Sequence, residues 1–332
     1  MTTSVPALLA EVWRGGVLEV AVRGHVAVVD RDGRLLASAG DPDAITTARS
    51  SVKPLQAQPL VTGGAMERFG LGDDAVAIAC ASHSGEPVHV RRVRAMLAAA
   101  GVEESALACG AHWPMSEAAA RELAATGATP TAVHNNCSGK HAGMLAACRA
   151  ADWPLQGYVS PAHPLQTCIR GLMSRLCGVD LDTAPWGVDG CGLPTHGLPV
   201  RALARAFAAA LDEPGFVRCQ SAMAAYPQLV GGGGRFDTDL LAAAGDRITA
   251  KSGAAACWIA VGRPGGPAVA VKLEAGAAAH LPPVAVAALV AADLLPAEIP
   301  AALIPHAASP LTNWAGDVVG ETRVTLRLSR PR

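Results

Sequence analysis

Strand-like segments lie near both ends of the 332-residue chain, and helix-like segments fill its middle. Alternating patterns predict early strands over residues 18–22, 26–29 and 34–37, and turn signals predict a late hairpin over 257–261 and 268–273. Helix start and stop signals predict helices between them, over residues 87–100, 117–125, 139–151, 164–177 and 199–211. We therefore expect an α/β (α+β) architecture, with an antiparallel sheet drawn from both chain ends beside a helical lobe.

The chain is predicted to form one domain, residues 1–332, with two approximate lobes. Residues 1–52 with 235–332 would form the sheet lobe and residues 53–234 the mainly helical lobe, with the active site between them. A composition of 51% hydrophobic and 17% charged residues is sufficient for a large core. This order of elements is the one that serine β-lactamases and penicillin-binding proteins use, which is an analogy of fold only.

Charge and hydropathy narrow the classes of partner. A net charge of -1 without a long basic run predicts binding to neither nucleic acid nor an anionic membrane. The longest apolar run, residues 284–295, is too short to cross a bilayer, and the N-terminus shows no secretory pattern, so we expect a cytoplasmic protein. Nine cysteines without disulfide-framework spacing indicate buried thiols in a reducing compartment, with a metal site as another use for some of them.

Residues 49–54, Arg-Ser-Ser-Val-Lys-Pro, carry the first candidate for catalysis. Pro54 suits the first turn of a helix, so a helix here must begin near Ser50 and place that serine at the N-cap. Lys53 lies three positions after Ser50 on the same face and can act as its base, whereas Ser51 has Pro54 at that offset. The alternative is an ordinary cap serine followed by a surface lysine, and only further catalytic elements can exclude it.

Two later segments supply such elements. Ser82 opens the polar segment 82–86 after an apolar run, and Lys251 opens a Lys-Ser-Gly sequence before the late hairpin. In β-lactamase-type enzymes a Ser-Asp-Asn and a Lys-Thr-Gly element occupy these places and relay protons around the nucleophile. Each segment alone also fits a loop cap or a solvated strand-edge lysine, but their order after Ser50 favours catalysis.

A lysine base must lose its proton near neutral pH, which requires burial or a neighbouring cation. Lys251 close to Lys53 would provide that cation, and each lysine would lower the pKa of the other. We therefore predict two coupled pairs, Ser50 with Lys53 and Ser82 with Lys251.

Three further segments are dense in glycine and polar residues, which is typical of site-building loops: residues 134–143, 189–194 and 234–238. Several ordered motifs together resemble the rhizobial-type (thermolabile, class 3) L-asparaginase II family, namely residues 49–54, 82–86, 135–143, 189–194 and 313–320. The similarity extends from the early hairpin to the last strand.

The resemblance implies hydrolysis of the side-chain amide of L-asparagine to aspartate and ammonia, on a serine β-lactamase/glutaminase-like fold and in a homodimer. Ser50 would attack the amide carbon with Lys53 as base. Ser82 and Lys251 would assist proton transfer, backbone amides near the nucleophile would hold the oxyanion, and water would release the β-aspartyl ester. Three residues would bind the charged substrate: Arg49, His141 and Asp189.

Family members also carry a zinc ion near the nucleophile, bound at positions that correspond to Cys137, Lys140 and Cys191. Common zinc ligands are Cys, His and carboxylate, so spacing alone favours His141 as the third ligand, with Asp189 also open. The resemblance favours Lys140 instead. The metal-free alternative is two buried thiols and a helix-start lysine. A bound metal need not act in catalysis, because an activated serine already supplies the nucleophile.

The chain departs from the family pattern after Lys251. Ala255 and Ala256 stand where an acidic residue and a glycine are expected, and Ala275 stands where an aspartate is common. Loss of carboxylates here is expected to change the pKa of the lysine, the substrate affinity or the pH optimum.

Two other classes of function stay open at this point. Another serine amidohydrolase, such as a glutaminase or a β-lactamase-like enzyme, fits the same residues, because one methylene of substrate length changes discrimination only modestly. A noncatalytic protein that binds zinc or an amino acid could also keep this fold. The intact pair of Ser50 and Lys53 argues against that second class.

Overall fold

The computed structural model describes residues 5–308 and 310–331. Residues 1–4, 309 and 332, which the predicted domain includes, lie outside the described residues. The strands of the described part have these bounds: β1 Ala7–Arg14, β2 Val17–Val29, β3 Leu35–Ala39, β4 Ile45–Thr47, β5 Trp186–Val188, β6 Pro194–Pro199, β7 Ile248–Gly253, β8 Cys257–Gly262, β9 Ala268–Leu273, β10 Leu311–Thr312 and β11 Val318–Val324.

Helices occupy most of the chain between β4 and β7 and also follow β9. Their bounds are α1 Lys53–Gln56, α2 Gln58–Thr62, α3 Ala65–Phe69, α4 Asp73–Ala79, α5 Pro87–Ala99, α6 Glu117–Ala125, α7 Ser138–Ala150, α8 Pro164–Cys177, α9 Val200–Ala210, α10 Pro214–Ala225, α11 Pro227–Val230, α12 Phe236–Ala244, α13 Leu281–Ala291 and α14 Ile304–Ala308. Single 3₁₀ turns connect several of them, including Arg49–Val52 before α1 and Ala254–Ala256 after β7.

The main sheet is antiparallel and takes its strands from both ends of the chain. Its order is β10-β11-β1-β2-β9-β8-β7, and β3 pairs separately with β2. N-terminal and C-terminal strands pair with one another in this sheet: Val12 of β1 lies opposite Thr322 of β11, and Ala27 of β2 lies opposite Ala270 of β9. A smaller sheet has the order β4-β6-β5. The predicted antiparallel sheet with strands from both chain ends is thus confirmed.

The second half of β2 is covered on both faces of the main sheet, because successive side chains of a strand point to opposite faces. Ala27 and Val29 of β2 belong to a core shared with the helices of the middle of the chain, including α9. Val26 and Val28 belong to a second core, shared with α12 and α13. The sheet is therefore the middle of three layers.

The predicted helices are present with nearly the predicted bounds. α5, α6 and α8 begin at the predicted residues, and Ser116 caps α6 by accepting a hydrogen bond from the Ala119 amide at 3.3 Å. The N-cap residue of α7 makes no side-chain hydrogen bond to the helix. Cys137 occupies that N-cap, and the Ser138 hydroxyl, one residue inside the helix, donates to the Val133 carbonyl at 2.8 Å.

The early strands differ from the prediction. Residues 18–22 and 26–29 belong to one long strand, β2, because Gly24 continues the ladder opposite Leu273 instead of making a turn. β1 is not among the predicted strands; it joins β2 through a tight turn where Gly15 has a φ of 56°. The late hairpin of β8 and β9 lies where it was predicted.

The two ranges proposed as lobes differ in content. Residues 53–234 supply α1 to α11 with β5 and β6, whereas the remaining segments supply the main sheet and α12 to α14. The apolar run 284–295 falls largely in the eleven-residue α13, which packs in the second core. Within the described residues, no helix has the length and apolar character needed to span a membrane.

Candidate active site

The candidate nucleophile lies on the 3₁₀ turn Arg49–Val52, which leads directly into α1. Pro54 occupies the first turn of α1, as predicted. The predicted N-cap position of Ser50 is wrong: Ala48 precedes the 3₁₀ turn, and Val52 is the N-cap of α1. The extra turn before the proline places Ser50 inside the turn rather than at its start.

The two adjacent serines of this turn have different surroundings. Ser51 is fully buried; its Oγ donates to the Ala48 carbonyl at 2.6 Å and lies 3.6 Å from Cys257 Sγ. Ser50 is half-buried and lines a cleft between the sheet and the helices. Ser50 is therefore the serine of the pair that a substrate in this cleft can reach.

Gly253, the last residue of β7, packs directly against the nucleophile turn. A Cβ atom at this position would lie 2.9 Å from the Ala48 oxygen, 2.9 Å from the Ser51 nitrogen and 3.2 Å from the Ser50 nitrogen. Backbone atoms cannot move aside as a flexible side chain can, so the close approach requires glycine. The Lys-Ser-Gly segment thus fixes the distance between β7 and the candidate nucleophile.

A glycine-rich loop, residues 231–234, holds the extended segment that carries Ser82. The Ser82 amide donates to the Val230 carbonyl at 3.0 Å, and the Ser84 hydroxyl donates to the Gly231 carbonyl at 2.8 Å. These bonds keep Ser82 on the wall of the cleft.

Lys53 is fully buried, and its Nζ contacts three oxygens. These are the Ala81 carbonyl, the Asn136 carbonyl at 3.3 Å and the Ser82 hydroxyl at 3.1 Å. A neutral amine has two N–H donors and one lone pair; if both donors serve the carbonyls, the lone pair is free for the Ser82 hydroxyl. Lys53 thus contacts Ser82, whereas its predicted partner was Ser50.

The surroundings of Lys53 favour the neutral form of its amine. Burial lowers the pKa of Lys53 from 10.5 to about 8. Cys137 opposes this change, and the positive charges of Lys140 and Lys251 add to it. The charge of Lys251 is thus one of the causes that lower the pKa of Lys53.

Lys251 lies on β7 and pairs with a buried carboxylate. Its Nζ lies 3.2 Å from Asp237 Oδ2 and donates to the Ser252 carbonyl at 2.6 Å. The same carboxylate accepts from the Ser252 amide at 2.8 Å and from the Ser252 hydroxyl at 2.7 Å. Burial lowers the pKa of Lys251, and Asp237 opposes that effect. The predicted contact between Lys251 and Ser82 is not among these bonds.

Ser50 and Ser82 line the same cleft, which has a volume of about 560 Å³. This lies within the range of small-molecule sites, roughly 300–1,000 Å³. The cleft is formed from both predicted lobes, and its lining includes Met115, Asn136, Arg235, Asp237, Ser252 and Leu281.

Cys137, Lys140 and Cys191 come together at the buried start of α7. Lys140 Nζ lies 3.2 Å from Cys191 Sγ. A hydrogen bond with Cys191 holds the pKa of Cys137 well below its ordinary value, against the opposing effect of burial. In the part of the chain that the structure describes, no set of three His, Cys, Asp or Glu side chains is placed to hold a metal. A set with His141 as the third ligand is therefore not formed.

The three residues predicted to bind substrate are absent from the described lining of this cleft. The Arg49 guanidinium donates to Asp189 Oδ1 at 2.7 Å, and the two residues line a different cavity of about 140 Å³. His141 is fully buried, with Nδ1 2.6 Å from the Tyr158 hydroxyl. Burial lowers the pKa of His141 well below its usual value, so its ring is neutral near pH 7.

Comparison with known protein families decides between the remaining classes. The profile described as L-asparaginase II matches residues 10–324. The chain belongs to the L-asparaginase II family. The match covers all candidate site residues and nearly the whole chain, so the chain is an L-asparaginase, an amidohydrolase whose family acts on the small molecule asparagine. No curated protein matches the chain.

Two of the three departures of this asparaginase from the family pattern fall on a strained turn. Ala255 and Ala256 have φ values of 56° and 51°, in the left-handed region that costs a residue with a side chain about 1–2 kcal/mol. The glycine expected at 256 would avoid that cost. The carboxylate that contacts Lys251 comes instead from Asp237, in another segment.

Sequence reasoning named the segment 234–238 of this asparaginase but assigned no role to its charged residues. Arg235 and Asp237 both line the cleft, and Asp237 holds Lys251. The signal that could have identified them is the pair of opposite charges directly after a glycine run and at the start of a helix.

Proposed function

We propose that this chain hydrolyses L-asparagine to L-aspartate and ammonia through a serine nucleophile and a covalent acyl-enzyme. The observation that carries the proposal is Lys53, a buried amine with a pKa of about 8 in contact with Ser82. Ser82 lines the same cleft as Ser50. Membership of the family supplies the substrate class.

In the proposed acylation step, Ser50 Oγ attacks the carbon of the side-chain amide, and its proton passes through Ser82 to Lys53 Nζ. When the tetrahedral intermediate collapses, the C–N bond breaks. The proton returns through Ser82 to the departing nitrogen, which leaves as ammonia, and the β-aspartyl ester of Ser50 remains. The contact between Lys53 and Ser82 supports this relay.

In the proposed deacylation step, water attacks the ester and gives a proton to Lys53 through Ser82, and Ser50 Oγ regains a proton as aspartate leaves. Lys251 acts through its charge, which lowers the pKa of Lys53. The backbone amide of Ser50, at the contact with Gly253, is the proposed donor to the oxyanion.

We also propose Cys137, Lys140 and Cys191 as zinc ligands, as the family resemblance implies. The donor set fits, because two sulfurs and an amine meet in a buried site. Burial lowers the pKa of Lys140, but the two cysteines and Asp189 together raise it by more, so zinc would have to displace a proton from this amine. Bound zinc would supply a positive charge near the cleft. Metal analysis of the purified chain and its Cys191→Ser variant tests the assignment, and equal zinc contents would contradict it.

Three further proposals concern the whole molecule. The sheet of both chain ends around a helical insertion supports a single two-lobed domain with a serine β-lactamase/glutaminase-like fold, which an experimental structure would test. The resemblance supports a homodimer, for which exposed Trp314 and Val318 offer contacts, and the molar mass in solution would test it. Nine free thiols support a cytoplasmic location, which cell fractionation would test.

The pH dependence of activity is expected to report the base. At pH 7 about one molecule in ten has a neutral Lys53 if its pKa is about 8, against roughly one in 3,000 for an ordinary lysine with a pKa of 10.5. Since the base acts in its neutral form, kcat/KM should rise with pH and reach half its maximum near pH 8. A profile measured from pH 6 to 10 checks this, and a flat profile through pH 8 would contradict it.

A substrate panel tests the proposed function itself. We expect ammonia release from L-asparagine with a kcat/KM at least about tenfold above that for L-glutamine, since one extra methylene typically costs 10- to 200-fold. A higher kcat/KM for L-glutamine than for L-asparagine, or hydrolysis of a β-lactam ring, would indicate another serine amidohydrolase instead. Binding of asparagine without release of ammonia would indicate a noncatalytic binding protein.

A further inference from the structure

Arg235 stands at the N-terminus of α12, directly after the glycine-rich loop 231–234. It is half-buried and lines the cleft that contains Ser50 and Ser82. Its Nη1 donates to Ser84 Oγ at 3.4 Å and lies 4.0 Å from Met115 Sδ. The first of these bonds is long, so most of the hydrogen-bonding capacity of the guanidinium is unused.

The charge of Arg235 has no carboxylate partner within residues 5–308 and 310–331. Two nearby carboxylates have other donors: Asp237 binds Lys251 and Ser252, and Glu86 Oε1 accepts from the Gly233 amide at 3.1 Å. Arg49 provides a contrast, because Asp189 neutralises it. A guanidinium that is always charged and faces a cleft without a counter-ion is placed to bind an anion.

We propose that Arg235 binds the α-carboxylate of the amino-acid substrate and so determines which amides the cleft accepts. This proposal rests on the proposed function, which supplies a substrate that carries one carboxylate besides its amide. A planar guanidinium pairs with a carboxylate through two parallel hydrogen bonds, which fixes orientation as well as position. With the carboxylate held there, the side-chain amide is directed toward the serines of the same cleft.

The remaining lining agrees with an anionic group at this end of the cleft. Asp237 is the acidic residue of the lining, and its oxygens are occupied by Lys251 and Ser252. Leu281 and Pro282 are uncharged, so they do not compete for the guanidinium. Arg235 should therefore favour free amino-acid amides over asparagine inside a peptide, where the α-carboxylate is an amide.

The test compares two substrates that differ only in the group assigned to Arg235. 3-Aminopropanamide is asparagine without its α-carboxylate. Arg235→Gln should lower kcat/KM for L-asparagine about 100-fold, since a hydrogen bond to a charged group is worth about 1.5–3 kcal/mol, and should leave the value for 3-aminopropanamide within twofold. Arg235→Lys should fall between parent and Gln variant, because it keeps the charge and loses the paired geometry.

Binding of the product supplies a readout that does not require turnover. By calorimetry, Arg235→Gln should weaken binding of L-aspartate about 100-fold and leave binding of 3-aminopropanoate unchanged. Arg218→Gln removes a surface arginine that pairs with Asp73 and serves as the matched control. If the parent binds L-aspartate through Arg235 but releases no ammonia from asparagine, the proposed function fails and the Arg235 assignment stands. The assignment is overturned if Arg235→Gln lowers kcat/KM equally for L-asparagine and 3-aminopropanamide, or weakens binding of L-aspartate and 3-aminopropanoate equally. It is also overturned if the variant changes neither member of a pair.

Discussion

Ser50→Ala is expected to reduce kcat for ammonia release from L-asparagine by roughly 10⁴-fold or more, the scale on which loss of a serine nucleophile acts in other hydrolases. The variant should keep its stability, because Ser50 is half-buried and its side chain shows no hydrogen bond in the described chain. Asparagine should still bind, since the proposed carboxylate site at Arg235 is untouched. Steady-state kinetics and calorimetry on the same preparation measure both effects.

Ser51→Ala is the matched control for this prediction. Ser51 differs from Ser50 by one position in the chain, but its hydroxyl is bound to Ala48 and lies near Cys257. Its removal should cost about 1 kcal/mol of stability and leave kcat within a few-fold of the parent value. Mass spectrometry after rapid quenching should locate the aspartyl adduct on the peptide that contains Ser50.

Ser82→Ala separates the two candidate roles of the serine that contacts Lys53. If Ser82 relays protons, the variant should still form the adduct on Ser50, but slowly, by about 10²- to 10⁴-fold. An adduct on Ser82 in the parent, together with residual activity of Ser50→Ala, would exchange the roles of the two serines. The 3.1 Å contact between Lys53 and Ser82 makes this the sharpest alternative to exclude.

The sequence predicted those parts of the site that depend on local constraints. Pro54 restricts where a helix can begin, and Ser51 could be set aside because Pro54, not a base, lies three positions later. The predicted N-cap position of Ser50 was nevertheless wrong, because a 3₁₀ turn precedes α1 and moves the start of the helix by one or two residues. Local patterns also sufficed for α5, α6 and α8.

The partners of the two lysines could not be predicted, because they depend on how distant segments pack. Lys53 contacts Ser82, which lies 29 residues later in the chain, and Lys251 contacts Asp237 because α12 packs beside β7. No spacing rule encodes such contacts. The strand β1 was not predicted for a related reason. It pairs with β2 and with β11, and β11 lies about 310 residues away in the chain.

Asp237→Asn is expected to lower both stability and activity, because it leaves the buried Lys251 without a counter-charge. Lys251 is 1% exposed and Asp237 is 6% exposed. Removal of one partner of a buried pair typically costs about 3–5 kcal/mol. The folded variant can avoid the buried charge by releasing the proton, which at pH 7 costs a lysine with an ordinary pKa of 10.5 about 5 kcal/mol, so the loss should not exceed that value.

The stability of Asp237→Asn is expected to depend on pH through the proton of Lys251. In Asp237→Asn the unfolded chain keeps the Lys251 proton up to about pH 10.5, whereas the folded chain has lost it, so the unfolded state binds more protons and stability must rise with pH. Urea unfolding at pH 7 and pH 9.5 should therefore show a deficit relative to the parent that becomes smaller at the higher pH. A deficit that is independent of pH would mean that lost packing or the lost bonds to Ser252, rather than the unpaired charge, cause the instability.

A second substitution separates stability from catalysis. Asp237→Asn combined with Lys251→Met removes both charges, so it should recover most of the lost free energy of unfolding, since apolar replacements of buried pairs are often neutral or stabilising. Activity should not recover, because the charge that lowers the pKa of Lys53 is gone and the pH at which the enzyme is half-active should move upward. Recovery of both properties together would show that Lys251 and Asp237 serve the fold alone.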